Sequence, residues 1–306
     1  MSGPKDIRSD ISGGTDSGGS TGSHSAVPSD PDAVVRASSA GRDLPVAIAV
    51  GVALAAVALA ALFIVKAAFV VFVLVAAMLG LRELSQALAT GPTRVPRVPV
   101  TVGGVAMIVS AYWGGPDELS VATVLTALGC LLWRLAGGAA GYVRDASAGL
   151  LATIYVPLLG SFVVLMLASG DGAARVATFV LVTTASDIGG LAAGVRLGRH
   201  ALAPTISPKK SWEGFAGSVA ACMLVGWITV TYALDGDWWV GLVLGVAAAG
   251  IGTLGDLAES MIKRDLGIKD MGSLLPGHGG VMDRLDSLLA VAPVAWLILD
   301  LLVSTS

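Results

Sequence analysis

Residues 255–286 hold five aspartates and one glutamate (Asp256, Glu259, Asp265, Asp270, Asp283 and Asp286), in a chain of which only 13% is charged. They share the run GDLAESMIKRDLGIKDMGSLLPGHGGVMDRLD with two lysines, two arginines and His278, between apolar segments. Carboxylates kept beside a bilayer are costly unless they are solvated, paired or metal-bound. If the helix before this run continues past Asp256, then Asp256, Glu259, Ser260 and Lys263 share one face at i, i+3, i+4 and i+7. Asp283 and Asp286 are neighbours at i, i+3 where the next apolar run begins. Two helix ends then present carboxylates to each other across a loop containing Pro276, Gly277, Gly279 and Gly280. Such a donor set suits Mg²⁺, which takes one or two carboxylates and leaves its other positions to water and substrate phosphates. Zinc is disfavoured, because His278 is isolated and no thiol is near. A merely solvated loop with surface ion pairs explains the run less well, since convergent carboxylates repel one another without a cation.

Two upstream segments carry related chemistry. In TTASDIGGLAAGVRLG, Asp187 is the lone acid of an apolar stretch. A bilayer-buried Asp costs ~2.5–3.5 kcal/mol on insertion scales, so Asp187 is expected to face a polar cavity or a metal. Gly190, Gly194 and Gly198 recur every fourth residue and read as a flat face for close helix packing. In TISPKKSWEG, Ser207-Pro208 is expected to start a turn and Ser211 to cap the following helix. Lys209 and Lys210 would offer point charges to a polyphosphate at that helix's positive pole. Plain membrane anchoring also explains adjacent lysines, but the chain has 13 Arg and six Lys, and four of those six (Lys209, Lys210, Lys263, Lys269) lie in the two polar motifs.

The elements that must position these residues are membrane helices. The chain is 55% hydrophobic with a mean hydropathy of +0.80, against about 25% charged residues in an ordinary soluble domain. The expected fold is all-α, a polytopic integral membrane protein with about nine transmembrane helices over roughly 44–65, 67–88, 99–115, 119–137, 149–169, 175–196, 213–234, 237–257 and 285–303. With the N-terminus in the cytoplasm and the spans alternating, all of the 19 Lys and Arg except Lys66 and Arg175 fall on the cytoplasmic side. Residues 1–43, rich in Ser, Gly, Asp and Pro, read as a disordered cytoplasmic tail. The first apolar run is too long for a signal-peptide core and serves as an anchor. The remainder divides into N-terminal transmembrane helices (44–169) and a C-terminal catalytic region (170–306). Cys130 and Cys222 sit in apolar runs and read as small buried hydrophobes.

The spacing of Ser260, Lys263, Arg264, Lys269, Asp270, Pro276, Gly277, His278, Gly279, Gly280, Asp283, Arg284 and Asp286 resembles the signature of phosphatidate cytidylyltransferases (CDP-diacylglycerol synthases). Ser207-Pro208-Lys209-Lys210-Ser211, Glu213-Gly214 and the Asp187-x-Gly-Gly segment look like features of the same family. The resemblance implies transfer of CMP from CTP to phosphatidate in phospholipid biosynthesis, giving CDP-diacylglycerol and pyrophosphate. It implies Mg²⁺ held by Asp256 and Asp283, with Asp286 completing the centre and room for a second cation. Lys263, Arg264 and Arg284 would serve the reacting phosphates. Asp187, Ser207, Lys209, Lys210, Ser211, Glu213, Lys269, Asp270 and His278 would bind or shape the substrate site. It further implies a homodimer and no nucleic-acid partner. Preference for Arg, Ala, Val and Gly points to a bacterial plasma membrane, with the site facing the cytoplasm. Two other readings stand beside this one. A CTP-dependent polyprenol or lipid kinase shares the chemistry. An ion-coupled transporter would explain Asp187, but it predicts midplane polar residues and an inverted repeat, and neither is detected.

Overall fold

The structure, a computed structural model, describes residues 56–272, 274 and 279–304. The tail over 1–43, most of the first expected span, and Pro276, Gly277 and His278 lie outside the described residues. The chain runs through α1 (56–64), α2 (Lys66–Leu88), α3 (Arg97–Trp113), α4 (Gly115–Leu135) and α5 (Tyr142–Thr153). A π-helical turn (Ile154–Leu158) joins α5 to α6 (Leu159–Ala168) without a break. Then come α7 (Gly172–Leu197), β1 (Ala201–Ala203), β2 (Ser207–Ser211), α8 (Trp212–Ala233), α9 (Trp238–Asp265) and α10 (Met282–Leu302).

Among the described residues, seven helices are long and apolar enough to cross a membrane, with α5, the π turn and α6 counting as one of them. Helix α3 has the same length, 17 residues, as the expected span 99–115, set two residues earlier. Its 17 residues reach about 26 Å, against a hydrocarbon core of ~30 Å, because Pro96 sets its start and Gly114 its end. The all-α expectation needs one amendment, the antiparallel hairpin in which Ala201 pairs with Ser211 and Ala203 with Ser207. Ser207-Pro208 therefore starts a strand, and the turn falls at 204–206. Both strands of a two-stranded hairpin are edges, so proline's fixed φ and missing N–H are tolerated there.

Large apolar side chains such as Val102, Val124, Leu191, Val195 and Leu301 point outward, as lipid-facing helices require. The core is built from Leu84, Met107, Ile108, Val156, Val164, Leu167, Leu244, Met282 and Leu299. Helices α7, α8, α9 and α10 pack in series, held together by small residues. A Cβ on Gly189 would lie 2.6 Å from the Gly217 carbonyl oxygen, one on Gly226 2.3 Å from that of Gly241, and one on Gly255 2.5 Å from Ala290 Cβ. The stripe read from the sequence behaves as expected. Gly190 abuts Ser218, Gly194 abuts Gly214, and Gly198 abuts Ser211. Without a hydrophobic force between helices in lipid, such backbone-to-backbone contact is what holds them together.

Helix α9 continues past the expected boundary at residue 257 to Asp265. It stops at Gly267, whose φ of +67° places it in the left-handed region. Gly267 N–H donates to the Arg264 carbonyl and Ile268 N–H to that of Lys263, the double closure that ends many helices.

Lys66 and Arg175 share one end of the bundle, where each closes a helix. Lys66 Nζ donates to the carbonyls of Ser169 (2.8 Å) and Gly170 (3.2 Å), just past α6. Arg175 is 1% exposed and donates to the carbonyls of Leu299 (2.7 Å) and Val303 (3.0 Å) at the end of α10, and to Asp171 (2.7 Å). Replacing it leaves two carbonyls and a carboxylate without their donor. Arg175→Met is expected to lower stability by about 3 kcal/mol, read as a depressed unfolding midpoint in detergent, while activity per folded molecule is unchanged.

Candidate active site

The site lies at the other end of the bundle, where the hairpin, the starts of α8 and α10 and the end of α9 meet. Helix α8 begins because Ser211, in extended conformation, accepts the Gly214 N–H on its hydroxyl at 3.1 Å. This is the cap expected from the sequence. Ser211 thereby fixes where β2 hands over to α8, and with it the position of Lys209 and Lys210. A cavity of about 340 Å³ opens between α7, the hairpin, α8 and α9. Asp187, Ser207, Lys209, Lys210, Ser211 and Asp256 all contribute to its wall. Asp187 thus faces a polar cavity, as its cost in a bilayer demanded.

Lys210 Nζ donates to Asp256 Oδ2, joining the β2–α8 segment to α9. Asp256 belongs to two groups at once, since it lines the cavity and also approaches Asp286 within hydrogen-bonding reach. Asp286 reaches Glu259 in the same way. Three carboxylates from α9 and α10 therefore crowd together. Glu259 is 1% exposed and its Oε1 has no hydrogen-bond partner among the described residues.

Lys263 does not point into the cavity. Its ammonium bridges Glu259 Oε2 (2.8 Å) and Asp283 Oδ1 (2.9 Å), so it joins α9 to α10. The i, i+4 pair with Glu259 is the helix-face relation read from the sequence. Asp283 uses its other oxygen to accept the N–H groups of Met271 and Gly280, each at 3.0 Å. Asp256 and Asp283 thus have different partners. Asp256 meets Lys210 and Asp286, while Asp283 is engaged by Lys263 and two backbone amides. Arg284, exposed on α10, and Lys210 are the cations that act electrostatically on Asp187. Arg264, Lys269 and Asp270 are exposed beyond this centre, at and after the end of α9.

Glu213 stands apart from the cavity. Its carboxylate accepts the N–H groups of Arg199 (3.1 Å) and His200 (3.3 Å) and pairs with His200 Nδ1 at 2.6 Å, tying the start of α8 to the segment before β1. Its place is therefore beside the hairpin, shaping the site from behind.

Two residues escaped the sequence reading. Tyr155 sits in the π turn, 8% exposed, with a buried hydroxyl that has no partner among the described residues and that feels the charges of Glu259, Asp286 and Asp256. Pro157, a proline within an apolar span, was the available signal, because its missing N–H disturbs the helical ladder. The second is Glu83 on α2, 2% exposed, whose Oε2 accepts the Met282 N–H at 2.9 Å. An acid at the end of an apolar span was its signal. Nothing local could pair it with a residue 199 positions away.

The donor chemistry fits a hard divalent cation. Asp256, Glu259 and Asp286 supply only oxygen, and Lys210 and Lys263 oppose their mutual repulsion. No three His, Cys, Asp or Glu side chains are already drawn into a metal cage among the described residues. The protein would therefore give one or two carboxylates and leave the remaining positions to water and phosphate oxygens, which is the habit of Mg²⁺.

Known proteins resemble this chain over most of its length. A model of the Cytidylyltransferase family matches residues 45–302. A phosphatidate cytidylyltransferase of Mycobacterium bovis is 40% identical over 279 residues, covering 87% of this chain and 91% of its own. One from Mycobacterium leprae is 41% identical over 280 residues, covering 86% and 89%. One from Haemophilus influenzae is 44% identical over 120 residues, covering 38% and 41%. With nearly the whole folded region matched and the lysine cavity joined to a carboxylate centre, the chain belongs to the cytidylyltransferase family.

Proposed function

We propose that this site transfers the cytidylyl group of CTP to phosphatidate, releasing pyrophosphate and leaving CDP-diacylglycerol in the membrane. The observation that carries the reading is the Lys210–Asp256 pair. It joins a lysine-lined cavity of nucleotide scale to a group of carboxylates at one end of a membrane bundle. The family match and the names of the mycobacterial relatives point to the same reaction.

The attacking group needs no general base. A phosphate monoester has a second pKa near ~6, so its oxygen is already ionised at neutral pH. The difficulty is electrostatic, since two polyanions must meet and charge must be stabilised on the departing pyrophosphate. Lys209 and Lys210 would hold the triphosphate in the cavity, where Ser211 fixes the chain that carries them. Asp256 and Asp286, with Glu259 beside them, would hold Mg²⁺, which when bound supplies Lewis-acid stabilisation of phosphate charge. Lys263 would keep Glu259 and Asp283 apart yet oriented, and Arg284 would offer a cation to a phosphate from α10. The diacyl chains would stay in lipid, along the exposed apolar faces of the helices.

The site end is proposed to face the cytoplasm, with nine spans and a cytoplasmic N-terminus. Among the described residues, Lys66 and Arg175 at the opposite end support this, because both are consumed in closing helices and do not serve as surface anchors. A bacterial plasma membrane fits the organisms of the named relatives.

Purified protein supplied with Mg²⁺, CTP and phosphatidate is expected to form CDP-diacylglycerol and pyrophosphate in equal amounts, resolved by lipid chromatography and a pyrophosphate assay. CDP together with a newly phosphorylated lipid would identify a kinase and refute the reading. Asp256→Asn is expected to lower kcat by about 10²-fold or more while the protein still inserts and folds, with a raised Mg²⁺ requirement. A near-normal rate in that variant would remove Asp256 from the centre. Reporter fusions in the 198–211 hairpin segment should report the cytoplasmic side, and an external signal would invert the proposed orientation.

A further inference from the structure

Helix α10 carries Asp283 and Asp286 into the centre, yet it starts without a side-chain cap of its own. Val281 precedes it and offers no side-chain acceptor, while Asp283 is already engaged with Lys263, Met271 N–H and Gly280 N–H. The first helical N–H, that of Met282, is satisfied instead from α2, by Glu83 Oε2 at 2.9 Å. A carboxylate suits that place, because the N-terminus of a helix is its positive pole.

Glu83 also touches both flanks of the segment leading into α10. A Cβ on Gly272 would lie 2.3 Å from Glu83 Oε1 and 2.4 Å from Cδ. A Cβ on Gly280 would lie 2.6 Å from Glu83 Oε2 and 2.9 Å from Asp283 Oδ2. The Glu83 and Asp283 carboxylates therefore grip Gly280 from two sides, and only glycine leaves room for both. The α2 carboxylate is 2% exposed, and a buried carboxylate is destabilising unless its contacts hold it.

We infer that Glu83 is a positioning residue for the reaction: by capping α10 and seating Gly272 and Gly280, it sets where Asp283 and Lys263 stand. The inference rests on cytidylyl transfer being the activity of the site. It also gives the N-terminal half of the chain a part in catalysis, through α2. Among the described residues, Glu83 acts through Met282, Gly272, Gly280 and Asp283, and not on a reacting group itself.

The test compares Glu83→Ala, Glu83→Gln and Gly272→Ala in the full-length protein. Glu83→Ala is expected to lower kcat by about 10²-fold, the scale of a misplaced reacting group, with little change in the KM for CTP. Glu83→Gln keeps an acceptor for Met282 N–H and is expected to recover most of that loss. Gly272→Ala should be harmful beside Glu83 but add little to Glu83→Ala, since the nearest atoms its Cβ would meet belong to Glu83. Hydrogen exchange at the amides of Gly280 and Met282 should quicken in Glu83→Ala. Wild-type kcat in Glu83→Ala, equal impairment in the Gln variant, or unchanged exchange would each overturn the inference. Should Glu83→Ala fail to fold, Gly272→Ala alone decides, and wild-type kcat there overturns it. If the wild-type protein forms no CDP-lipid, the functional reading fails on its own, and the exchange measurement alone judges Glu83.

Discussion

The Lys210–Asp256 pair is the interaction on which the rest of the site depends. An aspartate at the edge of a bilayer needs a compensating charge, and here that charge comes from a different helix start. The pair forms only if β2 delivers Lys210 at the right height and α8 lies close against α7 and α9. Ser211 supplies the first condition by ending the hairpin and starting the helix in one residue. The glycine contacts supply the second, because a methyl group at Gly189, Gly217 or Gly226 would force backbones apart. Packing and chemistry are thus one requirement. The helices that must touch most closely are also those that carry the charges.

Helix termini follow a common rule throughout the bundle. Each leaves backbone groups without partners, and in lipid those groups have no water to turn to. At one end, Lys66 and Arg175 reach across to close α6 and α10. At the site end, Glu83 reaches across to open α10. Helix α10 is therefore fixed at both ends by side chains from other helices, a cation at its negative pole and an anion at its positive pole. Its rigidity matters because two of the acids in the centre stand in its first turn or just beyond it.

What the sequence disclosed was what depends on local spacing. The Ser211 cap, the stripe at Gly190, Gly194 and Gly198, and the shared face of Glu259 and Lys263 all rest on fixed intervals along one helix. The extents of most apolar spans were readable for the same reason. The hairpin was not, because Ser-Pro is compatible with a turn or with an edge strand, and only pairing with Ala203 settles the matter. The bridge from Lys263 to Asp283 was not readable, because it joins different helices. The tie from Glu213 to His200 was not readable either, because it appears only when the hairpin folds back. Glu83 and Tyr155 were hidden for the same reason, since their significance lies in neighbours far along the chain.

The π turn at Ile154–Leu158 also governs how the two halves of the protein face one another. An α-helix advances about 100° per residue, so one extra residue in a turn rotates all that follows relative to all that came before. The Tyr142–Ala168 span uses that offset. Its first part packs on α4, and its last part packs on α3 and α10. Deleting a single residue there would restore a regular helix and swing α6 away from its partners by roughly a quarter turn. Substitutions in this span should be absorbed far more readily than a change of length, so the span works as a fixed angular coupling between the halves.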